Sequence, residues 1–417
     1  ARHVPITTGL TVGRLACPHL PEQPERPPTT WRELTMSTGN PRPLISVDSH
    51  VVEPKDLWLK RLPKRFLHQA PQVKSTERGD FFIVPNTGMS PKPVGTEGAM
   101  INTKINGVIT KPTGYRFEDQ RPGAYDPIAR LEDQDSQGVQ AEIVYPGWLI
   151  VHSIPDFALK VACVRAYNDW LFEEFCSHDP DRLVGAAALP VGKGPVEPAI
   201  EEAKRWAERG AKTFLLPQAV PGMAWGDPHW EPLWAVLEEI GLPVGFHQAA
   251  GQVAIFDDKT TPGVFWTTAI GNKISLGWVF MQLVYGAVPE RHPNLRFILV
   301  EGGIGWIAFQ LNTMDHMFTD HHRWTVPELS MKPSEYFNRN FWATFEDDRP
   351  GILTLPMLDE KRLMWAGDYP HTEGNFPYAQ EQVAHDFQDI DDDVVSAITH
   401  DNAIDLFGLN TPRLVRA

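Results

Sequence analysis

The chain has 417 residues, of which 42% are hydrophobic and 22% charged, and its formal net charge is -15. This length and apolar content suffice for one large domain, and the negative charge disfavours nucleic acid or an anionic membrane surface as a partner. The three cysteines form no Cys-x-x-Cys pair and no apolar run reaches membrane-spanning length, which together predict a reduced, cytoplasmic protein.

The first 43 residues are rich in proline and show little apolar periodicity. This composition predicts an extended arm rather than a packed element. With Met36 as the biological start, residues 1–35 would be an upstream extension, whereas a native arm could wrap a neighbouring subunit. The sequence leaves both possibilities open and places the main domain in residues 44–417.

From Leu44 onward, short apolar segments of strand length alternate with segments of helical periodicity. This alternation predicts a parallel sheet covered by helices, and eight such units predict a (β/α)8 TIM barrel, with a doubly wound open sheet as the alternative. The predicted strands are 44–51, 141–147, 183–190, 211–217, 242–248, 295–303, 341–348 and 362–371. The predicted helices are 126–138, 157–178, 195–210, 229–241 and 275–293.

The connection between the first predicted strand and the first predicted helix is far longer than usual for such a unit. Within it, residues 59–123 are predicted to form a cap over the barrel mouth, with a small hairpin. A decorative insertion without a role at the mouth is the alternative.

Polar side chains stand at or just beyond the carboxyl ends of the predicted strands, which is the rim where barrel active sites lie. Asp48 and His50 are two residues apart and therefore share one face of their strand. His247 ends the fifth strand before small residues, and Asp368 ends the eighth. In a closed barrel these four side chains could surround one point.

Two imidazoles and two carboxylates suit a borderline divalent cation, so the four residues predict a site for Zn²⁺, with Mn²⁺ as the alternative. The alternative to a metal site is a buried cluster in which the Asp and His side chains form salt bridges with one another. Such a cluster is costly when nothing binds to it, because buried charges need partners.

Four motifs, VDSHVVEP, GFHQ, LVEGGIGW and WAGDYPHTEG, together resemble the amidohydrolase superfamily. Within it they resemble the branch that includes aminocarboxymuconate-semialdehyde decarboxylase and the resorcylate-type decarboxylases. The likeness runs from about Ile45 to Leu409. It implies that Asp48, His50 and His247 bind the metal and that Asp368 both binds it and transfers protons.

Two positions depart from the pattern of this branch. Asp48 replaces the first His of the commoner His-x-His pair, which makes the site more anionic and favours Mn²⁺. Glu301 stands where many relatives have a His, and either acts as general acid or base, binds the metal, or accepts hydrogen bonds from the amides of Gly302 and Gly303. His371 either contacts Asp368 or the substrate, or is a surface residue.

The resemblance implies a small-molecule substrate, carboxylated or aromatic, that is hydrolysed or decarboxylated without oxidation. Both reactions use the same ligands. A metal-free binding or regulatory protein on the same barrel is the alternative from a different class. The resemblance also makes a homodimer or higher homo-oligomer possible. The apolar helical segment of residues 275–288 could form such a contact or could equally pack on the barrel.

Overall fold

The computed structural model describes residues 41–105, 113–147, 149–251, 263–326 and 328–412. The predicted N-terminal arm therefore lies outside the described residues, except for residues 41–43. None of the helices in the described ranges is both long and apolar enough to span a bilayer.

Eight parallel strands form the barrel and pair in the order in which they occur along the chain. Their side chains are almost all buried because helices cover the outside and side chains fill the inside. The strands are β1 Leu44–Val51, β5 Val139–Pro146, β6 Leu183–Ala188, β7 Thr213–Pro217, β8 Val244–His247, β9 Phe297–Val300, β10 Phe341–Phe345 and β11 Leu363–Trp365. The predicted (β/α)8 barrel is confirmed.

The barrel closes between β1 and the segment that follows β11. The Asp368 N–H donates to the Asp48 carbonyl at 2.8 Å, and the His50 N–H donates to the Tyr369 carbonyl at 2.5 Å. Closure brings the first and last strands of the chain together at the same rim. Asp48, His50 and Asp368 are neighbours for this reason.

The α-helices lie between the strands and around the rim. They are α1 Leu57–Arg61, α2 Met100–Ile105, α3 Pro127–Gln137, α4 Phe157–Trp170, α5 Glu197–Glu208, α6 Glu231–Ile240, α7 Val264–Ile274, α8 Leu276–Tyr285, α9 Val288–Arg291, α10 Ile307–His316, α11 Pro333–Asn340, α12 Arg349–Ile352, α13 Ala379–Asp386, α14 Asp392–Ser396 and α15 Asn402–Phe407. The single helix predicted over 275–293 is two helices, α8 and α9, because Ala287 between them takes a left-handed backbone with φ of 52°.

The long connection after β1 contains a small antiparallel sheet. Its strands are β2 Gln72–Thr76, β3 Gly79–Ile83 and β4 Lys92–Pro93. Phe82 of β3 is buried against Trp58, with ring centroids 5.5 Å apart. The insertion thus packs on the residues that directly follow β1.

Candidate metal centre

Asp48, His50, His247, Glu301 and Asp368 are buried at the carboxyl ends of their strands. One ligand atom from each of the first four lies within 4.8 Å of the others. Asp368 joins the group through His50, whose Nε2 is 3.4 Å from Asp368 Oδ1. The structure therefore brings together the residues that the sequence proposed as ligands, and places Glu301 among them.

Asp48 lies at the centre of the group. Its Oδ1 atom is 3.3 Å from His247 Nε2 and 3.4 Å from His50 Nε2. His247 Nε2 is also 3.5 Å from Glu301 Oε2. The two imidazoles and the two carboxylates thus converge from three separate strands.

Each imidazole is oriented by a backbone carbonyl. His50 Nδ1 lies 3.1 Å from the Pro146 carbonyl oxygen, and His247 Nδ1 lies 2.8 Å from that of Gln248. A proton on Nδ1 in both rings leaves the Nε2 lone pairs directed at the carboxylates. Histidines that bind metals are commonly held in this way.

The arrangement fits a divalent cation because several of its buried polar atoms have no hydrogen-bond partner among the described residues. They are Asp48 Oδ2, His50 Nε2, both Glu301 oxygens and Asp368 Oδ2. Unpartnered buried oxygens and a ring nitrogen are costly in a folded protein. Oxygen and imidazole nitrogen are also donors suited to Zn²⁺ and Mn²⁺.

His371 contacts the centre rather than the outer surface. Its Nδ1 is 2.9 Å from Asp368 Oδ1, and its ring stacks on His50 with centroids 4.1 Å apart. Burial raises the pKa of Asp368 to about 6, although His371 opposes the rise. For His50, burial instead lowers the pKa, and the neighbouring His371 and His247 lower it further.

Neither carboxylate oxygen of Glu301 has a hydrogen-bond partner among the described residues, so Glu301 does not accept from the amides of the loop after β9. The acceptor in this loop is Asp348, whose Oδ2 accepts from the N–H groups of Ile304 and Gly305 at 2.6 and 2.8 Å. Burial, reinforced by the charge of Asp368, raises the pKa of Glu301 well above its ordinary value. The Glu301 carboxylate is therefore directed into the site.

Lys273 of α7 is a polar residue of the site that the sequence did not reveal. Its Nζ is 3.0 Å from Glu346 Oε2 and 3.9 Å from Glu301 Oε1. Burial opposes its charge, but the carboxylates of Glu346, Glu301 and Asp368 outweigh burial and raise its pKa. Glu346, which directly follows β10, thus reaches the centre through an ion pair, and burial raises its own pKa to about 7.

The backbone is strained at two of the site residues. Glu301 and Asp368 have φ of 66° and 48°, in the left-handed region that residues with a Cβ rarely adopt. Such strain persists only where the surrounding structure enforces it, and it is concentrated at functional sites. The left-handed backbone of Glu301 also explains why β9 ends at Val300, earlier than the sequence predicted.

Two arginines of the insertion that could have bound a substrate carboxylate have acidic partners within the protein. Arg116 Nη1 is 2.9 Å from Asp80 Oδ1. Arg121 Nε donates to Asp133 Oδ2 at 2.7 Å. Each of these arginines therefore already has a counter-ion within the protein.

A family model described as Amidohydrolase matches residues 153–409, more than half of the chain. No curated protein sequence matches this chain. The segment matched by the family model begins after β5 and ends just beyond α15, so it includes His247, Glu301 and Asp368.

Several solved structures share the fold. An amidohydrolase from Mycobacterium avium subsp. paratuberculosis K-10 is 23% identical, with a TM-score of 0.70 over 88% of this chain and 98% of its own. The 2,6-dihydroxybenzoate decarboxylase from Rhizobium is 20% identical, with a TM-score of 0.61 over 88% and 99%. A dihydroxybenzoic acid decarboxylase from Polaromonas sp. JS666, with bound manganese and the inhibitor 2-nitroresorcinol, is 17% identical, with a TM-score of 0.58 over 89% and 98%.

Proposed function

Because the chain belongs to the amidohydrolase family whose model it matches, we propose that it is a metal-dependent enzyme that decarboxylates a carboxylated aromatic or enol substrate. The observation that carries this proposal is the convergence of Asp48, His50, His247 and Glu301 within 4.8 Å, beside the buried acid Asp368. The decarboxylases among the structural neighbours support the choice of reaction, and the manganese in one of them supports a divalent ion at this site.

Asp48, His50 and His247 would hold the ion, with Glu301 and Asp368 as the further carboxylates in reach. When bound, the ion supplies Lewis acidity toward the substrate's carboxylate and a neighbouring oxygen. Zn²⁺ and Mn²⁺ both suit this donor set, and its three carboxylates favour the harder Mn²⁺.

The chain's own residues provide the proton that decarboxylation requires. The bond between the ring or alkene carbon and the carboxyl carbon breaks, CO2 leaves, and the electron pair remains on the ring or alkene carbon. Asp368, held by His371 at 2.9 Å, then donates a proton to that carbon as general acid. Lys273 keeps the adjacent Glu346 and Glu301 carboxylates electrostatically compensated during this step.

Hydrolysis is the second candidate, and the name of the matching family supports it. The same carboxylates would serve in their ionised form. Asp368 or Glu301 would take a proton from water as the water attacks a carbonyl carbon, and the leaving group would recover that proton.

The experiment compares a panel of aryl carboxylic acids, followed by CO2 release, with a panel of esters, lactones and amides. The enzyme is loaded with Zn²⁺ or Mn²⁺, and the Asp368→Asn variant serves as the comparison. We expect CO2 release that needs metal, and a variant that retains metal but loses about 10²–10⁴-fold in kcat. Turnover of the second panel alone would establish hydrolysis instead. Protein that neither carries nor takes up metal would support a binding or regulatory role.

A further inference from the structure

A second group of polar side chains lies at the same rim of the barrel as the metal centre, in the connection between β5 and β6. His152 belongs to the short 3-10 helix Leu149–Ser153, which begins soon after β5 ends. Lys160 lies in the first turns of α4. In a parallel barrel both segments are at the carboxyl ends of the strands, the same end as Asp48 and His247.

His152 is a buried imidazole. It is 4% exposed, and neither of its ring nitrogens has a hydrogen-bond partner among the described residues. A buried imidazole normally satisfies at least one nitrogen. Burial lowers the pKa of His152 to about 3, with the positive charges of Lys160 and His247 as smaller causes.

Lys160 is a buried ammonium group without a counter-ion in the described part of the chain. It is 8% exposed, and its Nζ donates one hydrogen bond, to the Val191 carbonyl at 3.0 Å. A buried ammonium has three protons to donate and is costly without an anion. Burial accordingly lowers its pKa to about 8.

The N-terminal end of α4, close to Lys160 in the chain, already has an acidic cap. The Asp156 side chain accepts a hydrogen bond from the Leu159 N–H at 2.9 Å, so the charge of Lys160 itself is what an anion would meet. Gly192, next to Val191, would place a Cβ only 3.2 Å from Lys160 Nζ if it carried a side chain. The Phe157 ring is equally close, at 3.2 Å, so a side chain at position 192 would crowd the ammonium group.

We propose that His152 and Lys160 form a subsite that binds a second carboxylate of the substrate, one that does not react. The subsite rests on the proposed function, because it places the substrate's other acidic group at the metal centre. The lysine supplies the charge and two hydrogen bonds, and the imidazole supplies one N–H. The enzyme would therefore prefer dicarboxylated aromatic substrates over monocarboxylated ones.

The test uses aromatic probes that differ in one charge and resemble each other in shape. Isophthalate is compared with meta-acetylbenzoate, and terephthalate with para-acetylbenzoate, by calorimetric titration of the metal-loaded enzyme. The variants are Lys160→Met, which removes the charge, and His152→Gln, which keeps a donor in a smaller side chain. Lys204→Met is the matched control, since Lys204 is exposed on α5.

We expect the wild type to bind at least one diacid about tenfold or more tightly than its acetyl analogue. Lys160→Met should bring this ratio close to one without weakening the acetyl analogue, whereas Lys204→Met should keep it. His152→Gln should reduce the ratio less, and it provides a second reading if Lys160→Met does not fold. A wild type with no preference for either diacid, or a folded Lys160→Met with an unchanged ratio, would overturn the subsite.

The two proposals fail in different ways. Protein that carries no metal and releases no CO2, but keeps a preference for diacids that depends on Lys160, contradicts the proposed function alone. An active, metal-loaded enzyme whose preference ignores Lys160 contradicts the subsite alone.

Discussion

At the scale of single residues, the centre depends on the direction in which two imidazoles point. The carbonyls of Pro146 and Gln248 occupy the Nδ1 side of His50 and His247, so both Nε2 atoms meet at Asp48. The Asp-x-His spacing in a strand predicted that Asp48 and His50 share a face. The partners that fix the rings could not be predicted, because they are backbone atoms of neighbouring segments.

Asp48 places a carboxylate at the centre of the donor set. We expect Asp48→His, which restores the commoner His-x-His pair, to shift the ratio of Zn²⁺ to Mn²⁺ affinity toward Zn²⁺ by about tenfold or more, because imidazole is a softer donor than carboxylate. Competition titrations with both ions measure this ratio. The exposed imidazole of His68 provides the control in His68→Ala, and an unchanged ratio in Asp48→His would place Asp48 outside the ligand set.

Lys160 should lower the stability of the protein in the absence of substrate. Its pKa is about 8 in the folded protein against an ordinary value of 10.5. The cost of its charge is therefore complete below pH 8 and disappears as the pH rises to 10.5, because the unfolded chain keeps the proton over that range. We expect Lys160→Met to be more stable than the wild type at pH 7, by about 3 kcal/mol at most.

Urea denaturation of the wild type, Lys160→Met and Lys204→Met at pH 7 and pH 10 measures this effect. The advantage of Lys160→Met should shrink at the higher pH, and Lys204→Met should show no such change. A Lys160→Met protein that is less stable than the wild type at pH 7 would mean that the lysine has an anionic partner.

At the scale of elements, the eight strands were predictable because continuous apolar runs mark strands that are buried on both faces. The ends of the strands were harder to predict, because Glu301 and Asp368 adopt a left-handed backbone conformation that interrupts the extended chain. α7, which carries Lys273, was not predicted. Its sequence VFWTTAIGNKI contains two threonines and a glycine, which are weak helix formers.

The small sheet after β1 is tied to the segment that follows it through Asp80. This carboxylate accepts from Arg116 Nη1 at 2.9 Å and from the Phe117 N–H at 3.0 Å. Burial alone would raise the pKa of Asp80, but these hydrogen bonds and one from Ser75 outweigh burial and lower it. The stabilisation is thus present above the ordinary carboxyl pKa and is lost as the pH falls.

We expect Asp80→Ala to cost about 1–3 kcal/mol locally, because it leaves the Phe117 amide and the Arg116 guanidinium unpaired. Hydrogen exchange followed by mass spectrometry should show faster exchange in residues 72–83 and 113–119 and no change in the barrel strands. Glu77→Ala, in the exposed turn between β2 and β3, is the control. If these residues form a lid, Asp80→Ala should raise KM more than it lowers kcat. Faster hydrogen exchange throughout the barrel strands would contradict an insertion that unfolds separately.

At the scale of the whole molecule, large apolar side chains are exposed on neighbouring helices. Trp278 of α8 is 57% exposed and Phe309 of α10 is 75% exposed. The helices are adjacent, since Gln310 Nε2 donates to the Gly277 carbonyl at 2.7 Å. Ile270 and Ile274 of α7 are also more than half exposed, and apolar groups of this kind favour contact between subunits.

We expect the protein to form a homo-oligomer through α7, α8 and α10. Sedimentation velocity should show an assembly for the wild type, and Phe309→Glu should shift it toward the monomer because a charge would be buried in the contact. Ile128→Glu, at a residue of α3 that is 60% exposed, should leave the assembly intact. A wild type that is monomeric at high concentration would contradict this expectation.

In the proposed metal centre, side chains from separate strands bind one divalent ion at the mouth of the barrel. Anomalous diffraction from crystals of the metal-loaded protein, recorded at the absorption edge of the ion, locates that ion. We expect a single strong peak about 2.0–2.3 Å from Asp48, His50 and His247, with Glu301 or Asp368 completing the coordination. No peak at this position, or a peak that does not touch His50 and His247, would contradict the proposed centre.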